Sequence, residues 1–176
     1  LDALRDEDPG VRAAAALAVG ALGEEGEDGV QSLTFAMGKD TEQVRMAAIE
    51  ALGQIGPPAD RAVPQLLDYM LSVDTYLGEA AARALAGIRS ADAQAKIIET
   101  LGHGNADLRM MALTAISGYG QQAPEAIPIM TQMAASPDER VDVRAAAIEA
   151  LGQMGPAARE ASMETLLTIL QGPDDS

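Results

Sequence analysis

Few side chains in this chain are suited to catalysis or metal binding. His103 is the single histidine, and the sequence contains no cysteine. A structural or catalytic zinc site needs several nitrogen or sulfur ligands, and a Ser-His-Asp arrangement needs a nucleophile motif, which does not accompany His103. Gly102 and Gly104 place His103 in a turn. We therefore expect a structural or incidental role for this histidine and no metal site.

The carboxylates are the other groups that could do chemistry. The acidic stretch from Glu24 to Asp28 could attract a hard cation, but it lacks the alternating acids of a calcium loop, and a solvated turn is the better interpretation. Acid–base catalysis needs carboxylates that converge in a pocket, whereas the acids of this chain are scattered along it. The sequence thus predicts no catalytic residue and no cofactor.

The composition limits the classes of partner. There are 12 Lys and Arg residues against 27 Asp and Glu, a net charge of −15, and such a chain is poorly suited to nucleic acid or to an anionic membrane. A basic partner stays open, as does a purely solubilising role for the acids. Hydrophobic residues make up 48% of the chain and aromatic residues only 2%, so Ala, Leu and Met must fill a helical core.

One block of sequence occurs almost letter for letter twice, at Val44–Pro57 and at Val143–Pro156. Looser copies begin at Val11, Leu77 and Leu108, and a spacing of about 33 residues indicates stacked repeats. Since Leu1–Asp6 reads like the end of a preceding helix, we also expect a piece of a longer protein. The predicted repeats of this single domain cover about 1–37, 38–71, 72–101, 102–135 and 136–171, followed by a tail at 172–176.

Each repeat is predicted to be an antiparallel pair of helices, and no segment has the alternation of a strand. Asp8 caps the first helix, Gly56-Pro57 ends the third, Asp74 caps the fifth, and Ser136–Glu139 is predicted to be a capping box. The predicted helices span about 9–22, 29–37, 41–55, 59–71, 74–88, 92–101, 105–118, 124–134, 137–155 and 159–170.

The pattern Asp-x-x-x-x-Val-Arg-x-x-Ala-x-x-x-Leu-Gly, followed by a second helix that contains proline, resembles HEAT-repeat proteins, most of all the short bacterial type named after phycobilisome lyases. The resemblance implies an all-α, right-handed α-solenoid whose second helices line a concave, protein-binding face. It also implies that a recurring arginine pairs with turn aspartates in a structural ladder rather than forming a basic binding stripe. The arginines are Arg12, Arg45, Arg109 and Arg144, and the expected acids are Asp6 or Asp8, Asp40, Asp107 and Asp138.

Aligned second helices place apolar residues where a solvated helix would carry polar ones. Either these residues form a protein-binding ridge edged by acids, suited to a basic segment, or the register is off by one and they fill the core between repeats. The ridge consists of Phe35, Tyr69, Ile129, Met133 and Ile169, with Asp68, Glu99 and Gln132 between them.

Three functions follow from these observations. The first is a non-enzymatic scaffold that binds a protein or peptide on the concave face. The alternatives are a subunit of an enzyme related to bilin lyases and a spacer within a larger protein. The last helix has no following repeat to cover it, so we expect exposure there or self-association through the C-terminal helix pair; the residues concerned are Leu166, Leu167 and Leu170.

Overall fold

The computed structural model describes residues 1–72 and 75–171, with the backbone alone at 75, 157, 164, 166 and 168–171. Within these ranges the chain is helical and contains no strand. It divides into two compact units, Leu1–Ala93 and Gln94–Ser176, and the boundary lies inside one helix. The predicted cap Asp74, the side chains of Leu166, Ile169 and Leu170, and the tail 172–176 lie outside what is described.

Unit Leu1–Ala93 contains three first helices and two second helices. The first helices are α1 (Pro9–Gly20), α3 (Glu42–Ile55) and α5 (Thr75–Ile88), and the second helices are α2 (Val30–Lys39) and α4 (Val63–Met70). Helix α3 packs between α1 and α5, while α2 packs on α3 and α4 on α5. Short 3-10 helices at Asp2–Arg5, Gly23–Gly29 and Pro57–Ala62 precede α1, α2 and α4.

Helix α6 (Ala91–Leu101) crosses the boundary, and four more helices follow in unit Gln94–Ser176. They are α7 (Ala106–Ser117), α8 (Ile127–Ala135), α9 (Val141–Gln153) and α10 (Pro156–Gln171). Helix α9 packs against α7 and α8, and α10 packs against α8 and α9.

Small residues let the first helices approach closely. A Cβ built on Gly20 would lie 2.6 Å from the Cα of Ala51, and one built on Gly53 would lie 2.7 Å from the Cα of Ala84. Real Cβ atoms do not come this close to backbone, so glycine is required at both crossings. The glycine that recurs at this position of the repeat is thus required for helix packing in this unit.

The local signals of the sequence specify most helix ends. The carboxylate of Asp8 accepts hydrogen bonds from the N–H groups of Gly10 at 2.7 Å and Val11 at 3.2 Å, as predicted for a cap. Gly56 ends α3 with a φ of +77°, a conformation that favours glycine. The second helices begin later than predicted, at Val63 and Ile127, because a helix begun at residue 59 or 124 would place the following proline in its interior.

The predicted capping box at Ser136–Glu139 is wrong. Helix α9 begins at Val141, with Arg140 as its N-cap residue, and residues 137–139 form a turn. The carboxylate of Glu139 accepts hydrogen bonds from Arg109 and from the N–H of Arg140, so it cannot reach back to cap a helix.

Candidate protein-binding surface

The four described second helices that precede α10 share one register. Leu33, Leu66, Ile97 and Met130 occupy equivalent core positions and are fully buried. The residue two positions later is exposed in every case, because a step of two residues turns to the opposite side of a helix. We call this position the outward column, and its members are Phe35, Asp68, Glu99 and Gln132.

Phe35 is the exception in the outward column. Three of the four members are polar, whereas Phe35 is the only phenylalanine of the chain and is 72% exposed. Burying a large apolar side chain contributes about 1.5–3 kcal/mol to folding, and Phe35 contributes little of this to the isolated fold.

Met133 does not belong to the surface, and its predicted exposure is wrong. It is only 6% exposed, like Ala36 at the equivalent position of α2, and Thr100 at the same position of α6 is also buried. The reason is the helical period: a residue three positions after a core residue lies on the same face as that residue. For Met133 the alternative, a place in the core between repeats, is the one that the structure supports.

Tyr69, at the equivalent position of α4, is half-buried and is engaged by the fold. Its hydroxyl donates a hydrogen bond of 2.7 Å to the carbonyl of Met37, and the guanidinium of Arg45 lies 5.3 Å from the centre of its ring. The Met37 carbonyl is in the last turn of α2, where backbone acceptors lack partners within the helix. Tyr69 therefore links α4 to the end of α2. Ile129 is half-buried as well.

Two grooves flank the ring of Phe35. One, of about 590 Å³, contains both cations and carboxylates, and Asp40 in it is paired with Arg12. Its lining consists of Leu4, Arg5, Asp6, Arg12, Gln31, Ser32, Phe35, Ala36 and Asp40. The second, of about 450 Å³, is lined by Gln31, Thr34, Phe35, Gly38, Lys39, Arg61 and Gln65. We call this second groove, including Phe35, the Phe35 surface. An aromatic ring that lines two grooves can be covered by a bound chain.

The Phe35 surface is cationic although the chain is acidic. Both charged residues that line it are cations, Lys39 and Arg61, and both are exposed. Among the described residues neither has an ion-pair partner. Sequence reasoning missed this feature because Arg61 comes from the following repeat. The rarity of lysine could have drawn attention to this surface, since Lys39 is one of only two lysines in the chain.

The arginine ladder exists, but its partners differ from those expected. Arg12 does not pair with the side chain of Asp6 or Asp8; it binds Asp40 of the next repeat through Nε at 2.7 Å and Nη2 at 2.6 Å. Its Nη1 donates to the backbone carbonyls of Asp6 and Glu7 at 2.7 and 3.0 Å. The hydrogen bonds from Arg12 hold the pKa of Asp40 below its usual value, against the opposing effect of burial.

Arg109 repeats this arrangement in the second unit. It pairs with Glu139, not with Asp107, and donates to the carbonyls of His103 and Gly104. The hydrogen bond from Arg109 lowers the pKa of Glu139, again against burial. Asp107 pairs instead with Arg140, whose hydrogen bonds to Asp142 lower the pKa of Asp142 to about 2.

The remaining predicted pairs do not form within the described ranges. Arg144 donates from Nε to the carbonyl of Ala134 at 3.4 Å, and Asp138 is exposed without an ion pair. Arg45 does not pair with Asp40, which Arg12 occupies, and it lies over Tyr69 instead. The two ladder pairs that form among the described residues, Arg12–Asp40 and Arg109–Glu139, each join an arginine to an acid about 30 residues later.

His103 lies in an exposed turn, as predicted. Its Nδ1 accepts a hydrogen bond of 3.1 Å from the N–H of Asn105, the residue that caps α7. Glu24, Glu25, Glu27 and Asp28 are exposed within the 3-10 helix Gly23–Gly29. In the described part of the chain, no group of three or more His, Cys, Asp or Glu residues could hold a metal ion. None of its helices has the length and apolar character of a bilayer span.

Family models cover almost the whole chain. The model described as HEAT repeats matches residues 1–77 and 63–142, and the PBS lyase HEAT-like repeat matches residues 143–172. The chain belongs to the HEAT-repeat family. The predicted all-α repeat fold of this family is therefore confirmed.

Solved structures resemble this HEAT-repeat protein over nearly its full length. The complex of CpcE and CpcF of phycocyanin lyase from Nostoc sp. PCC7120 matches with a TM-score of 0.69 and 26% identity, over 98% of this chain and 69% of that chain. Two engineered proteins match with TM-scores of 0.60 and 0.58 at 19% and 20% identity, over 99% and 98% of this chain and 90% and 88% of theirs. The engineered proteins show the fold alone. No curated protein matches at a significant level.

Proposed function

We propose that this HEAT-repeat protein is a non-enzymatic interaction module that binds a protein segment on the outward faces of its second helices, with Phe35 as the anchor. HEAT repeats are commonly scaffolds for protein interaction, and the observation that carries the proposal is the exposure of Phe35. The equivalent residues in the other repeats are the polar Asp68, Glu99 and Gln132. A large aromatic ring at a solvated position is typical of a binding hot spot.

The surroundings of Phe35 support the same function. A bound segment that filled the two adjacent grooves would bury a ring that the fold leaves exposed. Aromatic anchors set in grooves and surrounded by polar groups supply much of the affinity of protein interfaces. Gln31 and Gln65, which line the Phe35 surface, can donate and accept hydrogen bonds with a peptide backbone.

The predicted basic partner rests on the acidic members of the outward column. Asp68 and Glu99 are exposed, and Glu99 already pairs with Lys96 at 3.0 Å. A basic segment that contacts Asp68 of the first unit or Glu99 of the second is part of the proposal. It does not suit Phe35, whose neighbours Lys39 and Arg61 would repel it.

The proposal is tested by selecting random peptides on the wild-type protein and comparing two variants. We expect Phe35→Asp, which copies the residue at the equivalent position 68, to lower the affinity of the selected peptides about tenfold or more. The free energy of unfolding of Phe35→Asp should differ from that of the wild type by less than about 0.5 kcal/mol because the ring is exposed. The matched control is Tyr76→Asp, which removes another aromatic ring that is 60% exposed, from a first helix. Equal affinity of both variants for the peptides would contradict the proposal.

A second candidate function is that of a subunit of a lyase-like enzyme. The observation that favours it is the 26% identity, over 98% of this chain, with the phycocyanin lyase complex. This function predicts that the protein perturbs the absorption spectrum of a bilin mixed with apo-phycocyanin. An unchanged spectrum would remove this candidate and, if the peptide selection also failed, would leave the role of a spacer.

Self-association through the C-terminal helix pair completes the proposal. Leu167 and Met163 of α10 are 48% and 45% exposed, and Leu166 and Leu170 lie outside the described side chains. A copy of the chain could cover this apolar surface.

A further inference from the structure

We infer that the Phe35 surface takes an acidic segment of another protein, in which an apolar side chain packs on Phe35 and aspartate or glutamate residues flank it. This inference rests on the proposed function and specifies its partner at this site. It departs from the basic partner that the total charge of −15 suggests.

The first step is the position of the two cations. Lys39 follows Phe35 by four residues in α2, so both side chains lie on one face of that helix. Arg61 belongs to the 3-10 helix Pro57–Ala62 and lines the same groove of about 450 Å³. One cation therefore comes from the end of α2 and the other from the 3-10 helix that precedes α4, and the lining contains no carboxylate.

The second step is the lack of partners for these cations. Acids outnumber bases by 27 to 12 in this chain, and the arginines of the ladder, Arg12 and Arg109, each bind a carboxylate of the following repeat. Within the described ranges Lys39 and Arg61 bind none. Arginine binds carboxylates with two parallel hydrogen bonds, and lysine binds them as a point charge. Both groups are thus available to an acidic ligand.

The third step is the choice among classes of ligand. Lys39 lies in the last turn of α2, where a cation also stabilises the helix end, but this does not explain Arg61. A long polyanion such as nucleic acid would meet the acidic remainder of the chain. A short acidic segment with an apolar anchor can place its carboxylates next to Lys39 and Arg61 alone. Its apolar side chain can pack on the exposed ring of Phe35.

The experiment uses a displayed library of random dodecapeptides selected on the intact wild-type chain and counter-selected on Phe35→Asp. We expect the peptides that depend on Phe35 to be enriched in aspartate and glutamate around an apolar residue. For a synthetic peptide of the consensus, Arg61→Glu and Lys39→Glu should each weaken binding about tenfold. The matched control is Arg159→Glu, which changes the net charge by the same amount at an exposed position of α10 and should leave the affinity within about twofold.

Three results would overturn the inference. Peptides that depend on Phe35 but are neutral or basic, and that bind Arg61→Glu as well as wild type, would refute the acidic partner and leave the proposed function standing. A selection without any peptide that depends on Phe35 would refute both. Sedimentation showing that the chain associates with itself through Phe35, and that Phe35→Asp abolishes this, would identify a second copy as the occupant.

Discussion

At the scale of single residues, the ladder makes folding stability depend on acidic pH. The hydrogen bonds of Arg12 and Arg109 lower the pKa values of Asp40 and Glu139 in the folded protein. A carboxylate whose pKa is depressed by folding contributes stability that is complete above its unfolded pKa and is lost as the pH falls through the folded value. We therefore predict that the free energy of unfolding is nearly constant from about pH 7 to pH 5 and decreases below about pH 4.

The test is urea denaturation at several pH values. Asp40→Asn should lower the stability at pH 7 and remove part of the decrease below about pH 4, because the neutral amide cannot form the ion pair. Asp138→Asn is the matched control, since Asp138 has no ion pair in the described ranges, and it should leave the pH profile unchanged. Identical profiles for the two variants would show that the Arg12–Asp40 pair adds nothing to stability.

These ladder residues show how far single residues can be predicted. A recurring arginine at one position of the first helices indicates a structural pair, and the structure confirms this role for Arg12 and Arg109. The identity of the acid depends on how consecutive turns stack, which no local pattern encodes. Glu139 was therefore assigned to a capping box. Its sequence neighbours fit that motif, whereas its actual partner, Arg109, is 30 residues away.

At the scale of helices, the near-identical blocks Val44–Pro57 and Val143–Pro156 place the same glycine in two different environments. A Cβ on Gly53 would lie 2.7 Å from the Cα of Ala84, whereas one on Gly152 meets no described atom within 4 Å. We predict that Gly53→Ala lowers the free energy of unfolding by about 1–3 kcal/mol because backbone must move. Gly152→Ala should be neutral or raise it by up to about 1 kcal/mol through helix propensity. Chemical denaturation measures both, and equal effects would contradict the close crossing of α3 and α5.

Helix positions were predictable where a local signal decides them. Asp8 and Gly56 each act within one turn of the chain, and the corresponding ends agree with the structure. For Met133 the sequence left two alternatives, a surface ridge and the core between repeats, because an apolar side chain fits both, and the structure buries it. Phe35 is exposed, which is one of the two alternatives that the sequence left open, and its cationic neighbour Arg61 was missed because it lies in another repeat.

At the scale of the whole molecule, total charge is a poor guide to the charge of a site. The net charge of −15 is a sum over the entire chain, and acids such as those of the 3-10 helix Gly23–Gly29 are not part of the lining of the Phe35 surface. Composition therefore predicts the long-range field that an approaching partner meets. It does not predict the charges within contact distance, and these decide which segment is bound.

Self-association is the last prediction, and it also belongs to the whole molecule. Large apolar side chains are exposed on the last and the first α-helices, since Leu167 of α10 is 48% exposed and Val11 of α1 is 42% exposed. We predict concentration-dependent association in sedimentation velocity, strengthened by salt because a net charge of −15 repels a second copy.

Leu167→Glu should abolish this association, and Val11→Glu is the comparison. Loss with Leu167→Glu alone indicates a symmetric contact through α10, and loss with both indicates head-to-tail stacking. Loss with Val11→Glu alone, or a monomer at every concentration, would contradict a contact through the C-terminal helix pair.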